Sequence, residues 1–180
     1  MDKYSVIYAH PSWMYNKHYP KEAEATEARE FNISNGPMPL DEIMTFPVQE
    51  VASNDCVLFI WATTPMLPEA LKVVEAWGFT YKTLFTWEKT NDGCMGYWFK
   101  TCTEHLVIAI KGNVKAFGSP IRNCFHEPQT RRGKKPDYFY RIIEKVTTGK
   151  RIQLFARQNR RGWDVWGQTK ENPISFELTN

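Results

Sequence analysis

The sequence lacks the patterns that mark secreted, membrane-spanning and zinc-binding proteins. No apolar run reaches the length of a membrane helix, and no basic-then-apolar signal pattern occurs at the N-terminus. The four cysteines form no C-x-x-C pair and show no metal-ligand spacing; they are Cys56, Cys94, Cys102 and Cys124. We therefore expect reduced thiols, a cytoplasmic location, no membrane partner and no metal site.

Internal repeats, low-complexity tracts and linkers are also absent, which favours one compact unit. The 180 residues are enough for one sizeable core, and a content of 42% hydrophobic and 14% aromatic residues is typical of a globular chain. We predict a single domain over residues 1–169 and a C-terminal tail over residues 170–180.

The net charge of +3 conceals a strong asymmetry along the chain. Residues 1–60 contain four Lys or Arg against nine Asp or Glu, whereas residues 111–161 contain fourteen against three. Such a separation indicates a face that meets a polyanion, for which nucleic acid is the leading candidate. A solvated basic surface without a partner is the alternative.

Apolar patterns predict alternating strands and helices and therefore an α/β fold. The predicted strands are residues 4–9, 56–62, 79–87, 104–110 and 151–156. The predicted helices are residues 40–44, a helix from Pro65 that ends by Gly78, and a helix from Pro136 that ends by Gly149. The strand, helix and strand over residues 56–87 form a βαβ unit, and residues 88–103 form a loop. The polar stretch at residues 21–30 is either an exposed helix or a flap over a ligand.

The first predicted strand ends in His10, Pro11, Ser12 and Trp13. In open α/β sheets ligands bind beyond the carboxyl ends of the strands, so this turn is a candidate catalytic segment. Proline stiffens the turn and leaves nearby carbonyls to accept hydrogen bonds, and the tryptophan can cover a flat ligand such as a nucleobase. A core-packed tryptophan after an ordinary strand is the alternative. His105, at the entrance of a later strand, is predicted to be a hydrogen-bonded structural histidine.

Further motifs follow this turn in a fixed order. They are residues 58–63, Trp77-Gly78-Phe79, Gly96-Tyr97-Trp98, Glu104-His105-Leu106, Lys135-Pro136-Asp137, residues 154–157 and residues 162–167. The series covers roughly residues 4–169 and resembles the MT-A family of adenine-N(6) methyltransferases, whose D-P-P-W motif corresponds to His10 to Trp13. That family has messenger-RNA-modifying members and bacterial and phage DNA-modifying members.

The resemblance implies a Rossmann-like methyltransferase with a mostly parallel sheet and S-adenosylmethionine as its cofactor. In this family the catalytic strand precedes the cofactor strand, so no glycine-rich G-x-G follows the first strand. Position by position, the resemblance assigns the cofactor to Lys135, Phe155, Arg157, Asn159 and Gln168. Lys135 suits the cofactor carboxylate, and Arg157 and Asn159 suit its ribose hydroxyls.

The resemblance also implies a mechanism, and this sequence differs from the family motif at two positions that the mechanism uses. In the family an Asp side chain and the adjacent Pro carbonyl accept hydrogen bonds from the adenine amine, which is a poor nucleophile, while the aromatic residue stacks on the base. Here His10 replaces the Asp and Ser12 replaces the second Pro. Neutral imidazole accepts one hydrogen bond but supplies no negative charge, a loss on the order of 2–4 kcal/mol.

Two hypotheses therefore stand. The first is an active methyltransferase that acts on adenine in nucleic acid, DNA in preference to RNA, with His10, Pro11, Ser12 and Trp13 as catalytic residues. The second is a catalytically silent member that binds nucleic acid or supports an active partner. A homodimer or a partner subunit is compatible with both. The residues predicted to contact nucleic acid are Lys89, Tyr97, Trp98, Arg131, Arg132 and Lys134, and Arg131, Arg132 and Lys134 are expected to bind phosphate.

Overall fold

The computed structural model describes residues 3–15, 37–91, 94–96, 98–118, 120–130 and 134–167. The predicted helix or flap at residues 21–30 and the predicted tail at residues 170–180 lie outside this part of the chain.

Nine strands and four α-helices make up the described fold. The strands are β1 (Tyr4–Ala9), β2 (Ala52–Thr63), β3 (Thr80–Glu88), β4 (Cys94–Met95), β5 (Lys100–Thr101), β6 (Thr103–Lys111), β7 (Cys124–His126), β8 (Arg151–Ala156) and β9 (Asp164–Gly167). The helices are α1 (Leu40–Met44), α2 (Val48–Val51), α3 (Leu67–Ala76), which follows a 3₁₀ turn at Thr64–Met66, and α4 (Asp137–Val146).

Seven of the strands form one sheet in the order β7-β3-β6-β2-β1-β8-β9. β1 lies between β2 and β8 and is parallel to both, with Ala9 opposite Ile60 on one side and Leu154 on the other. β6 is antiparallel to its neighbours β2 and β3, and the remaining neighbours are parallel. This mostly parallel α/β sheet confirms the predicted Rossmann-like fold.

The structure differs from the predicted elements where strands are short or are paired at long range. The strand–helix–strand unit over residues 56–87 is present, but β6 is inserted between its two strands. The prediction that residues 88–103 are a plain loop is wrong, because β4 and β5 pair there as an antiparallel hairpin. β7 and β9 have three and four residues, too few for a periodic apolar pattern to identify.

The core occupies both faces of the sheet because side chains alternate along each strand. On β1, Ile7 belongs to the cluster that packs against α3, whereas Tyr8 belongs to the cluster that packs against α4. The indole of Trp77, at the end of α3, donates to the carbonyl of Ile43 at 2.8 Å and so fixes α1 against α3. Within the described residues, no helix is both long enough and apolar enough to cross a membrane.

Candidate active site

Strand ends from across the sheet meet at one edge. β1, β2, β3 and β8 all finish there, and β6 begins there because it is antiparallel; Thr63 pairs with Glu104, and Glu88 pairs with Thr103. Lys135, just before α4, reaches the same edge, where its ammonium binds the Glu104 carboxylate. This is the edge at which open α/β sheets bind their ligands.

The segment from His10 to Trp13 is held by backbone hydrogen bonds on both sides. The His10 amide donates to the Leu154 carbonyl of β8 at 3.3 Å, and the Ser12 carbonyl accepts from the Met38 amide at 2.8 Å. The indole of Trp13 is 6% exposed, and its Nε1 donates to the carbonyl of Trp61 at 3.0 Å. Trp13 therefore packs in the core here, and stacking of its ring on a base stays a prediction.

Ser12 carries a polar atom without a partner. The residue is 4% exposed, and its Oγ makes no hydrogen bond within the described residues. A buried hydroxyl normally has a partner, because leaving it unpaired costs about 1–3 kcal/mol. This orphaned hydroxyl lies two residues from His10, where a bound ligand could satisfy it.

His10 is surrounded by positive charge. Burial lowers the pKa of its imidazole well below the ordinary value of 6.5, and the charges of Lys135, Arg157 and Lys89 lower it further. The ring is therefore neutral at pH 7 and can accept one hydrogen bond.

Three charged side chains meet beside this histidine. Glu104 pairs with Lys89 at 2.6 Å and with Lys135, and the side chains of Glu104, Lys89 and Lys135 are 6%, 13% and 7% exposed. The ammonium of Lys135 lies 5.1 Å from the ring centre of Trp61, and that of Lys89 lies 5.4 Å from the ring centre of Trp87. The Glu104 carboxylate is thus shared between two ammonium groups.

The pKa of Glu104 reflects two opposing effects, burial and the charges of the two lysines. Burial alone would raise the pKa of its carboxyl, but Lys135 and Lys89 outweigh this effect and lower the pKa. The family resemblance includes Glu104 in a motif that flanks the active site, but the sequence prediction gives this residue no role of its own. The available signal was a carboxylate at the start of the otherwise apolar strand that continues through Leu106 and Val107.

The end of β8 has an unusual backbone. Among the described residues, Phe155 is alone among non-glycine residues in having a positive φ, at 59°, and the pairing of β8 with β9 shifts register there. On the neighbouring strand β9, Gly167 pairs with Ala156 and has φ 151°. A Cβ at Gly167 would overlap the carbonyl oxygen of Ala156. Strained backbone and bulges of this kind concentrate at functional sites.

Three of the predicted cofactor residues, Phe155, Arg157 and Asn159, lie at this bulge or in the segment that follows it. The Phe155 ring packs 5.2 Å from Phe46 and 5.5 Å from Trp166, measured between ring centres. Arg157 lies two residues after Phe155 and is close enough to His10 to lower the pKa of its imidazole. Asn159 lines a polar cleft with Arg160 and Trp163, and Gln168 lies outside the described residues.

The predicted nucleic-acid contacts are distributed unevenly. Lys134 is exposed, and Trp98 is 89% exposed beside Phe99 at 85%. Lys89 instead points into the site and binds Glu104. Tyr97, Arg131 and Arg132 lie outside the described residues.

His105 makes the hydrogen bonds expected of a structural histidine. Its Nδ1 lies 3.2 Å from the Thr86 hydroxyl, and its Nε2 lies 3.3 Å from the Thr64 hydroxyl.

The observed features fit an S-adenosylmethionine site. The two ammonium groups of the lysine–glutamate cluster suit a carboxylate, the bulge at Phe155 and Gly167 forms a close backbone cradle, and Ser12 offers a hydroxyl without a partner among the described residues. These features are the structural support for the cofactor prediction.

The sheet and the polar site at its carboxyl edge are those of a Rossmann-like methyltransferase domain. Comparison with known proteins shows that the MT-A70 family model matches residues 4–169. The chain belongs to the MT-A70 family.

Individual relatives agree with this assignment. The chain is 33% identical to the type II methyltransferase M.MunI from a Mycoplasma species, over 97% of the chain and 81% of that protein. It is 26% identical to the N(6)-adenosine-methyltransferase catalytic subunit METTL3 of Homo sapiens, over 87% of the chain and 26% of that protein. It is also 26% identical to a putative N(6)-adenosine-methyltransferase MT-A70-like protein of Medicago truncatula, over 91% of the chain and 26% of that protein. The chain thus spans most of M.MunI but about a quarter of these plant and human relatives.

Proposed function

We propose that the protein is an S-adenosylmethionine-dependent methyltransferase that acts on the 6-amino group of adenine in DNA. The observation that carries this proposal is the buried cluster of Lys89, Glu104 and Lys135 at the carboxyl edge of the sheet, next to His10 at the end of the central strand β1. This arrangement places a hydrogen-bond acceptor for an amine beside a positively charged site for a carboxylate.

The cofactor would occupy the edge between the lysine–glutamate cluster and the bulge in β8. Lys135 would bind its carboxylate, since Glu104 holds the ammonium in place at the carboxyl edge of the sheet. Phe155, Arg157, Asn159 and Gln168 would contact the rest of the cofactor. When bound, the cofactor supplies a methyl group on a positively charged sulfur.

The chain's own contribution to the reaction is to orient and polarise the adenine amine. The lone pair of this amine is delocalised into the ring, so hydrogen-bond acceptors that favour a pyramidal nitrogen make it a better nucleophile. The imidazole of His10 would accept a hydrogen bond from one N–H of the amine, and the Pro11 carbonyl would accept a hydrogen bond from the other. The remaining contribution is positioning, which can be worth several kcal/mol for an in-line transfer.

DNA is the proposed substrate because the chain covers 81% of M.MunI, whose name describes a type II methyltransferase. Trp98 and Phe99 lie at the tip of the β4–β5 hairpin, and this hairpin is joined to the site because the Lys89 amide donates to the Cys102 carbonyl at 2.7 Å. Exposed aromatic rings stack on bases, and a base in a duplex must be flipped out before it can react. Lys134, with Arg131 and Arg132, would bind the phosphates.

A catalytically silent nucleic-acid-binding member is the second candidate. The observation in its favour is His10 itself, because a neutral ring cannot offset the positive charge that develops on the amine.

Transfer of a labelled methyl group tests the proposal. The intact protein is incubated with labelled S-adenosylmethionine and duplex DNA, single-stranded DNA or RNA, and the digested nucleosides are separated. We expect label in N6-methyldeoxyadenosine, and little transfer by a Lys135→Met variant that still folds. Label confined to RNA would overturn the choice of DNA, and tight nucleic-acid binding without transfer would favour the silent member.

A further inference from the structure

Three residues with metal-binding side chains meet on the outer edge of the sheet, apart from the residues assigned to the reaction. They are Glu88 at the end of β3, and Cys124 and His126 on the edge strand β7. One ligand atom from each can be chosen so that all three lie within 4.8 Å of one another. Cys124 Sγ lies 3.7 Å from His126 Nε2, and His126 Nδ1 lies 2.8 Å from Glu88 Oε2.

The pairing of the two strands explains why these side chains share one face. β3 and β7 are parallel, with Thr86 opposite Cys124 and Glu88 opposite His126. Residues two apart on a strand point to the same side, so Cys124 and His126 lie together, while Phe125 between them stacks on Tyr138 of α4 at 3.8 Å. The cluster is thus a consequence of strand register.

Neighbouring hydrogen bonds fix this arrangement. The Thr86 amide donates to the Asn123 carbonyl at 2.8 Å, and the Glu127 amide donates to the Glu88 carbonyl at 3.2 Å. The indole of Trp87 donates to the Glu127 carbonyl at 2.9 Å. The backbones that carry the three side chains are therefore held in place before any ligand binds.

We propose that Glu88, Cys124 and His126 form a binding site for a zinc-class divalent cation, with the remaining coordination position open to water. A thiolate, an imidazole and a carboxylate are the ligand types that Zn²⁺ takes, and three protein ligands with one open position are a known zinc arrangement. With Zn–S at about 2.3 Å and Zn–N at about 2.0 Å, tetrahedral S and N ligands lie roughly 3.5 Å apart. The observed separation of 3.7 Å between Cys124 Sγ and His126 Nε2 is close to this value.

Only small movements are needed to complete the site. The Glu88 carboxylate now contacts Nδ1 of His126, whereas Cys124 Sγ faces Nε2, so Glu88 must leave Nδ1 to join Sγ and Nε2 on one ion. The side chains of Glu88 and His126 are 45% and 55% exposed, so they can turn without repacking the core. The charges also balance, because a thiolate and a carboxylate together neutralise a divalent ion. The bound ion would join the edge strand β7 to β3.

The sequence predicts no metal site because the ligands come from two separate segments. Cys124 and His126 are separated by one residue, which matches no zinc motif, and Glu88 precedes them by 36 residues. Only the parallel pairing of β3 with β7 brings them together.

Binding of the metal itself tests the proposal. The full chain, freed of metal with a chelator, is titrated with Zn²⁺ in competition with a chromogenic chelator, and then with Co²⁺. We expect saturable binding of one ion per chain in the micromolar range or tighter, together with a near-ultraviolet charge-transfer band from thiolate to Co²⁺. Binding should also raise the unfolding temperature.

Variants separate this site from adventitious binding. Cys124→Ser should abolish the cobalt charge-transfer band, and His126→Ala and Glu88→Gln should each weaken zinc binding at least tenfold. Cys102→Ser, outside the cluster, should leave both readouts unchanged. Unfolding in urea without metal checks that each variant is folded. A band that survives Cys124→Ser, or the absence of saturable binding, would overturn the proposal, whether or not the protein transfers methyl groups.

Discussion

Replacement of Glu104 by glutamine should destabilise the protein severely. The carboxylate lies between the ammonium groups of Lys89 and Lys135, and all three side chains are at most 13% exposed. Removing the charge of Glu104 leaves the ammonium groups of Lys89 and Lys135 close together in a poorly solvated site. Breaking a buried ion pair by removing one partner costs about 3–5 kcal/mol, and we expect Glu104→Gln to fall in this range.

The variant Lys135→Met should cost less stability than Glu104→Gln, although it changes the same buried cluster. Lys135→Met removes one ammonium but keeps the pair of Glu104 with Lys89 at 2.6 Å, so the buried carboxylate still has a charged partner. We expect it to cost about 0–2 kcal/mol, less than Glu104→Gln. Glu75→Gln on the exposed face of α3 is the matched control and should change stability by less than about 0.5 kcal/mol.

The assay is urea unfolding at neutral pH, followed by tryptophan fluorescence and circular dichroism. Because the pKa of Glu104 is lowered in the folded protein, its contribution is complete above its unfolded pKa, about 4.3, and is lost as the pH falls through its folded value. The difference between the unmodified chain and Glu104→Gln should therefore shrink only in acid. Equal costs for Glu104→Gln and Glu75→Gln, or a larger cost for Lys135→Met than for Glu104→Gln, would show that the Glu104 carboxylate does not hold the two lysines together.

Three further predictions concern single features of the site. Trp13→Phe removes the indole donor to the Trp61 carbonyl and should lower the free energy of unfolding by about 1–3 kcal/mol; a change under about 0.5 kcal/mol would contradict a buried hydrogen bond. Gly167→Ala places a Cβ against the Ala156 carbonyl and should weaken S-adenosylmethionine binding at least tenfold by calorimetry, whereas an unchanged affinity would separate the bulge from the cofactor site. Since the pKa of His10 is lowered from 6.5, kcat/KM should be constant between pH 7 and pH 8 and should fall only in acid; a rise through pH 7–8 would show that the ring titrates there.

Long apolar segments allowed much of the fold to be predicted from the sequence. β1 is observed as Tyr4–Ala9 and β8 as Arg151–Ala156, both as predicted, and β2 extends the predicted strand at both ends. These strands are buried on both faces, which leaves a continuous apolar run in the sequence. The turn after β1 was recognisable because strand ends in such sheets are where ligands bind.

Features that depend on pairing between distant segments could not be predicted in the same way. The insertion of β6 between β2 and β3 depends on which strand edges associate, and local periodicity carries no such information. Glu104 meets Lys135 across 31 residues, so neither side chain alone indicates a buried ion pair. The sequence also did not determine the environment of the Trp13 ring, because its position in the motif was compatible with both a ligand-facing and a core-packed ring.

The proposed function requires that this MT-A70 family chain transfers methyl groups to adenine with His10 as the acceptor for the amine. The most direct measurement is single-turnover methyl transfer to duplex DNA by the unmodified chain and by a His10→Asp, Ser12→Pro variant that restores the family motif. We predict measurable transfer by the unmodified chain and a rate roughly a hundredfold higher for the variant, as a lost charge-assisted interaction of about 2–4 kcal/mol implies. Transfer by the variant alone, with none by the unmodified chain, would contradict the claim and identify the protein as a silent nucleic-acid-binding member.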